Sequence, residues 1–186
     1  LVDPGMGFPP HGHRDMEIFT YVLEGAIEHR DSLGNHAQLK PGQIQVMSAG
    51  SGVKHSEYNP SKTDRLHLIQ VWIQPDRPGL RPRYAEWTPT VEQLAAPKVL
   101  IISHDGRDGS AHISQDADVY RVKTSTAGTV SHELRQGRGL WFQLIGGEVE
   151  IDGVKLSPGD AVKSEEPGSF AFTSTGPIEA LLFDLA

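Results

Sequence analysis

Short runs of β-branched and aromatic residues, each ended by glycine, proline or asparagine, recur along the chain and predict strands. The first runs from His11 to Leu23, where Ile18, Phe19, Thr20, Tyr21 and Val22 are continuous and Glu24-Gly25 breaks the pattern. Residues 26–30 and 36–40 flank a turn and read as a hairpin closed by Pro41-Gly42. Residues 44–47 and 53–58 follow, separated by the Ser48–Gly52 loop, and 66–73 reads as a strand buried on at least one face. Residues 1–10 hold three prolines and two glycines and read as a loop leading into the first strand. Pro75, Pro78, Pro82 and Pro89, with Pro97 just beyond, make 74–89 an extended connector, and 90–96 fits one or two helical turns. A second series of strands is predicted at 98–103, 112–115, 119–124, 139–144, 148–151 and 178–185.

The two series echo one another. Tyr21-Val22-Leu23-Glu24-Gly25-Ala26-Ile27-Glu28, followed by Leu39-Lys40-Pro41-Gly42, resembles Phe142-Gln143-Leu144-Ile145-Gly146-Gly147-Glu148-Val149-Glu150, followed by Leu156-Ser157-Pro158-Gly159. Composition agrees with an all-β chain rich in turns: 186 residues hold 20 Gly and 13 Pro. A net charge of -7 argues against nucleic acid as a direct partner. The absence of cysteine excludes disulfides and thiol chemistry, so a bound metal must rest on His, Asp or Glu. No apolar stretch reaches the roughly 20 residues of a membrane span and no signal peptide is visible, so no membrane role and a cytoplasmic location are expected.

Candidate chemistry is concentrated in two triplets, His11-Gly12-His13 and His55-Ser56-Glu57. Residues two apart on a strand share a face. Two such strands side by side would therefore bring three imidazoles and one carboxylate to a volume the size of one ion, a donor set suited to iron, manganese, nickel, copper, cobalt or zinc. Converging ionisable groups in an apolar interior each cost several kcal/mol in desolvation, which a cation relieves. Glu17 is a second carboxylate near the first triplet, read as a ligand or as a partner orienting an imidazole. Arg14 and Asp15 read as a surface ion pair, and Phe19, Met47 and Trp72 as a pocket wall or plain core. His29, His36, His67, His104, His112 and His132 lack a partner at ligand spacing and read as surface or hydrogen-bonded core residues. The second copy has only Ser131-His132-Glu133-Leu134 in place of the ligand strand.

Gly5, His11-x-His13 and Glu17 resemble the first motif of the cupin barrels, and Gly42, Gly50, Gly52, His55 and Asn59 the second. More narrowly, His-x-His-Arg-Asp-Met-Glu-Ile at 11–18, Tyr-Val-Leu-Glu-Gly at 21–25, Met-Ser-Ala-Gly-Ser-Gly-Val at 47–53 and His-Ser-Glu-Tyr-Asn-Pro-Ser at 55–61 look like the pirin family, in particular its bacterial quercetinase-like branch. The resemblance implies a bicupin of two antiparallel β-barrels (double-stranded β-helix, or jelly roll). Residues 1–88 would form a metal-binding barrel and 89–186 a degenerate one. The family carries several tens of residues ahead of this motif, so the first strands of that barrel can be missing from a chain that opens at Leu1. The resemblance also implies His11, His13, His55 and Glu57 as ligands of one divalent metal, iron first. Gly12 departs from the proline usual between the two histidines, which loosens the backbone there. The activity implied is opening of the central ring of a flavonol such as quercetin by dioxygen, with Glu57 as base. The partners implied are a small aromatic substrate and dioxygen. The alternative is a metal-bearing, redox-responsive regulatory protein acting through a protein partner, as eukaryotic pirins suggest.

Overall fold

The computed structural model describes residues 1–186 as an almost purely β chain. By contacts it divides into two compact units, Leu1–Pro89 with Ala111–Gln115, and Thr90–Ser110 with Asp116–Ala186.

The first unit contains β1 (Gly7–His13), β2 (Glu17–Glu24), β3 (Ile27–Asp31), β4 (His36–Leu39), β5 (Ile44–Ser48), β6 (Val53–Tyr58), β7 (His67–Ile73) and β8 (Arg83–Trp87). They form two four-stranded antiparallel sheets, ordered β1-β6-β3-β4 and β7-β2-β5-β8. Two of these elements differ from expectation. Gly7 to Pro10, expected to be loop, is the start of β1; the ladder slips between Phe8 and His11, so Pro9 and Pro10 lie at a bulge on an edge strand where a missing N–H breaks no bond. Residues 83–87 of the proline-rich connector pair with β5 as β8, since Pro82 and Pro89 flank this stretch and leave it free of proline.

The second unit contains α1 (Val91–Ala95), β9 (Lys98–Ser103) and, after β10 (Ala111–His112, which groups with the first unit), β11 (Ala117–Thr124), β12 (Gly128–Leu134) and β13 (Gly139–Gly146). It continues with β14 (Val149–Ile151), β15 (Val154–Leu156), β16 (Ala161–Ser164), β17 (Gly168–Ser174) and β18 (Ile178–Leu185). Helix α1 falls within the stretch expected to hold one or two helical turns and is closed by a capping box between Thr90 and Gln93. Strands β15, β16 and β17 are not predicted by the sequence; Gly153, Pro158, Gly159 and Pro167 crowd the stretches beside them.

The units share one strand order. Sheet β12-β17-β14-β15 repeats β1-β6-β3-β4, and β18-β13-β16 repeats β7-β2-β5. The turns after β2 and β13 use the same device. Gly25 (φ 76°) and Gly147 (φ 83°) lie in the left-handed region. A Cβ there would stand 2.5 Å from the Arg65 carbonyl oxygen in the first case and 2.2 Å from that of Pro177 in the second. The second unit has a continuous apolar core in which Phe142 and Phe172 stack at 4.0 Å. Apolar packing in the first unit falls into smaller groups, Ile18, Met47, Ala49 and Val53, and Val22, Ile27, Leu39 and Leu66. Its interior also holds Glu17, Thr20, His29, Gln45, Ser48, His55 and Glu57, all buried. No helix is long and apolar enough to cross a membrane.

Candidate metal centre

Alternation along two strands aims the triplets inward. On β6, Val53, His55 and Glu57 are buried while Lys54 and Tyr58 are exposed; on β1, His11 and His13 are half-buried and Gly12 is exposed. His11 pairs directly with His55 across the ladder. The three rings meet with centroids 4.5 to 4.9 Å apart. His55 Nε2 lies 3.0 Å from His13 Nε2 and 3.1 Å from His11 Nε2. Two nitrogens bound at right angles to one ion, each about 2.1 Å from it, stand about 3.0 Å apart. The His11 ring donates its Nδ1–H to the Pro9 carbonyl at 2.8 Å, which leaves Nε2 as a lone pair facing the other rings. Burial, together with the charge of His11, holds the His13 ring below its ordinary value. Burial and the like charges of His11, His29 and His13 push the His55 ring down to about 3. Imidazoles gathered at this separation, with His13 and His55 both disfavouring a proton, fit a divalent cation.

Glu57 lies beside His55, in a group with His29 rather than with His11 and His13. Its two oxygens accept from two carboxamides: Gln45 Nε2 donates to Oε1, and Gln70 Nε2 to Oε2 at 2.9 Å. Both amides are held the right way round. The Trp72 indole, a donor only, gives its N–H to Gln70 Oε1 at 3.2 Å, and the Tyr84 hydroxyl donates to Gln45 Oε1 at 3.3 Å. Burial raises the Glu57 carboxyl, against the hydrogen bonds from Gln70 and Gln45 and the charges of His29 and His11. The result is an oriented carboxylate readier than usual to take a proton.

Glu17 is buried but stands apart from the imidazoles, accepting from Ser48 Oγ at 2.6 Å. Ser48 in turn accepts from Arg83. Asp15 does not pair with Arg14; its carboxylate accepts from the Gly79 amide. Met47 and Phe19 are core residues, whereas Trp72 is 53% exposed and meets His13 edge to face at 4.9 Å. A shallow surface depression of about 510 Å3 touches His13 but is otherwise bordered by Gly12, Arg14, Ser32, Gly52, Val53 and Lys54, most of them exposed, and not by His11, His55 or Glu57.

His29, set aside in the sequence as a lone histidine, belongs to this centre. It is fully buried on β3, opposite Glu57 in the ladder, and its Nδ1 lies 3.4 Å from His55 Nδ1. Tyr84 stacks on its ring at 4.6 Å, and its Nε2 meets Asp31 Oδ2 at 3.2 Å. Burial works to raise the Asp31 carboxyl, but the hydrogen bonds from Asn35, His29 and Leu33 hold it below the usual range. The signal in the sequence is the His29-x-Asp31 spacing, two polar residues on the inner face of one strand.

Residues 1–73 match the Pirin family model, and residues 100–185 match a model described as the quercetinase C-terminal cupin domain. A quercetin 2,3-dioxygenase of Escherichia coli K12 is 43% identical over the whole chain, which spans 79% of that relative. A pirin-like protein of Caulobacter vibrioides is 34% identical over the whole chain, which spans 80% of it. The crystal structure of YhhW from E. coli superposes with a TM-score of 0.94 at 43% identity, over all of this chain and 78% of that one. The structure of bacterial pirin YhhW in complex with nickel(II) superposes with a TM-score of 0.92 over 99% of this chain and 78% of that one. A salicylate 1,2-dioxygenase of Pseudaminobacter salicylatoxidans, 13% identical with a TM-score of 0.61, shares the fold alone. The strand order repeated in both units is that of a bicupin, and with family models covering both halves the chain belongs to the pirin family.

Proposed function

We propose that the protein is a metal-dependent dioxygenase that opens the central ring of a flavonol, of which quercetin is the type, with loss of carbon monoxide. The observation that carries this reading is the meeting of His11, His13 and His55 through Nε2 atoms 3.0 and 3.1 Å apart, with the buried carboxylate of Glu57 beside His55. His11, His13, His55 and Glu57 hold one divalent metal, iron first, in the barrel of residues 1–88, while the barrel of 89–186 carries none. Bound there, a metal would supply Lewis acidity toward the flavonol 3-hydroxyl. The E. coli relative named quercetin 2,3-dioxygenase supports the substrate class, and the nickel(II) complex of YhhW supports a bound divalent metal.

The chain's own residues do the rest. Trp72, exposed beside His13, offers an aromatic face to a planar ring system. A carboxylate oxygen of Glu57 takes the proton of the 3-hydroxyl, helped by the burial that raises its affinity for protons. Gln45 and Gln70 keep that carboxylate aimed while it is charged. The test is oxygen uptake with quercetin by iron-, manganese- and nickel-loaded protein against metal-free protein, with metal content measured in parallel. Glu57→Gln is expected to keep most of its metal and lose turnover. Uptake unchanged in that variant removes Glu57 from the reaction, and wild-type protein that holds metal without consuming oxygen overturns the reading.

A further inference from the structure

We propose that Asp31 and His29 are positioning residues that fix the tautomer of His55, so that its Nε2 faces the centre as a lone pair. This rests on the reading above only in taking His55 to be a ligand. Each step follows from which atoms can donate. The Asp31 carboxylate accepts from the Leu33 amide at 2.9 Å, the Asn35 amide at 3.0 Å and the Asn35 side chain at 2.8 Å. With these donors around it, Asp31 is an acceptor only, and the His29 Nε2 facing Oδ2 at 3.2 Å must carry a hydrogen. In a neutral ring this leaves His29 Nδ1 as a lone pair, which faces His55 Nδ1 at 3.4 Å. His55 must then donate from Nδ1, and its Nε2 is bare. Tyr84, stacked on His29, holds that ring in plane.

The chain Asp31, His29, His55 therefore does through two steps what the Pro9 carbonyl does for His11 in one. Its consequence is that the bare Nε2 atoms of His11 and His55 face each other at 3.1 Å. Two lone pairs at that distance repel unless a cation lies between their directions. His29 itself is thereby withdrawn from ligation: both its nitrogens are committed, although it stands with His55 and Glu57 as a group of ligand type.

Long-range 1H–15N correlation spectra of the full 15N-labelled chain, metal-free and loaded with diamagnetic zinc, read imidazole tautomers directly. Wild-type His55 and His11 are expected as Nδ1–H with unprotonated Nε2 in both samples. In Asp31→Asn the amide oxygen keeps the backbone donors and turns its NH2 toward His29. Both rings should then reverse, His55 becoming Nε2–H, and metal affinity should fall roughly 10- to 100-fold. His29→Asn, whose Oδ1 reaches the place of the ring Nδ1, should preserve the His55 tautomer and most of the affinity, an outcome that a merely structural role does not predict. His55 found as Nε2–H in the wild type, or unmoved in Asp31→Asn, overturns the proposal; the wild-type spectrum decides it even if the variant does not fold. The two readings fail separately: expected tautomers with no oxygen uptake leave the relay standing without the dioxygenase, and oxygen uptake with the opposite tautomer does the reverse.

Discussion

At matched places in the ladders, the first barrel carries Thr20, His29, Gln45, His55, Glu57 and Gln70 where the second carries Phe142, Ile151, Val162, Phe170, Phe172 and Leu182. The strand order and the glycine turns are the same in both. In the second barrel these six belong to, or pack on, one apolar core. In the first they satisfy one another: Thr20 Oγ1 accepts from Gln45 and Gln70, both amides donate to Glu57, and His29 joins His55. The same frame thus accepts either hydrocarbon or a closed polar set. What it cannot accept is a mixture, because a single buried polar group without partners costs more than either complete solution gains. His132 shows how the second barrel handles a polar side chain at one of the matched places. It occupies the ladder place of His11 and is tied to Asp184 at 2.9 Å, which is itself held by Arg138.

Mixing the two interiors is therefore the most damaging change. Phe172→Glu removes the ring stacked on Phe142 and buries a carboxylate with no amides to receive it. It should cost more than about 4 kcal/mol in urea denaturation, from lost packing plus an unpaired charge. A loss under about 1 kcal/mol would show that this interior tolerates a polar group after all.

The second effect is of pH on the metal-free protein. The folded His55 ring titrates near 3, while the unfolded one titrates near 6.5. Between those values the unfolded chain binds a proton that the folded chain refuses, so stability falls as pH falls from about 6.5 toward 3. His13, lowered by burial and His11, adds to the fall. Glu57, raised by burial, opposes it, since the folded chain takes up that proton first. Denaturation midpoints from pH 7 to 4 should slope less in His55→Gln than in the wild type, whereas parallel slopes would place the acid lability elsewhere.

The shared frame gives a smaller, paired effect. Gly25→Ala and Gly147→Ala each force a Cβ into a carbonyl oxygen at a positive φ, and should each cost about 1 to 3 kcal/mol by thermal unfolding. A large cost in one barrel alone would mean that the turns are not equivalent. Smallest of all is Gly12→Ala, where φ is not positive and a Cβ would approach nothing nearer than the Val53 carbonyl oxygen at 3.6 Å. Stability should stay within about 0.5 kcal/mol. The loosening expected of Gly12 is then to be sought in metal affinity, by titration of the variant against the wild type.

The doubled architecture was legible from the Gly25 and Gly147 turns and from Pro41-Gly42 and Pro158-Gly159, because a turn is a local event that a few residues specify. So was the inward aim of His11, His13, His55 and Glu57, because the face of a strand follows from a period of two. Strands β8 and β17 escaped notice because proline and glycine beside them mask what their neighbours in the sheet impose. Gln45, Gln70 and Thr20 escaped for a different reason. A glutamine on a strand says nothing of what it faces until β5, β2 and β7 are laid side by side.

By itself, then, the order of residues determined the two-fold repeat and the inward faces of the strands that carry the imidazoles, both of which depend on spacing along the chain. Only the folded structure decided what surrounds them: that Glu57 is bracketed by two amides, that His29 and Asp31 stand behind His55, and that Glu17 answers to Ser48 instead. Those contacts join residues up to tens of positions apart through pairings of whole strands. Hydrogen-bond direction, on which the chemistry turns, is set by the far partner and not by the neighbour in sequence.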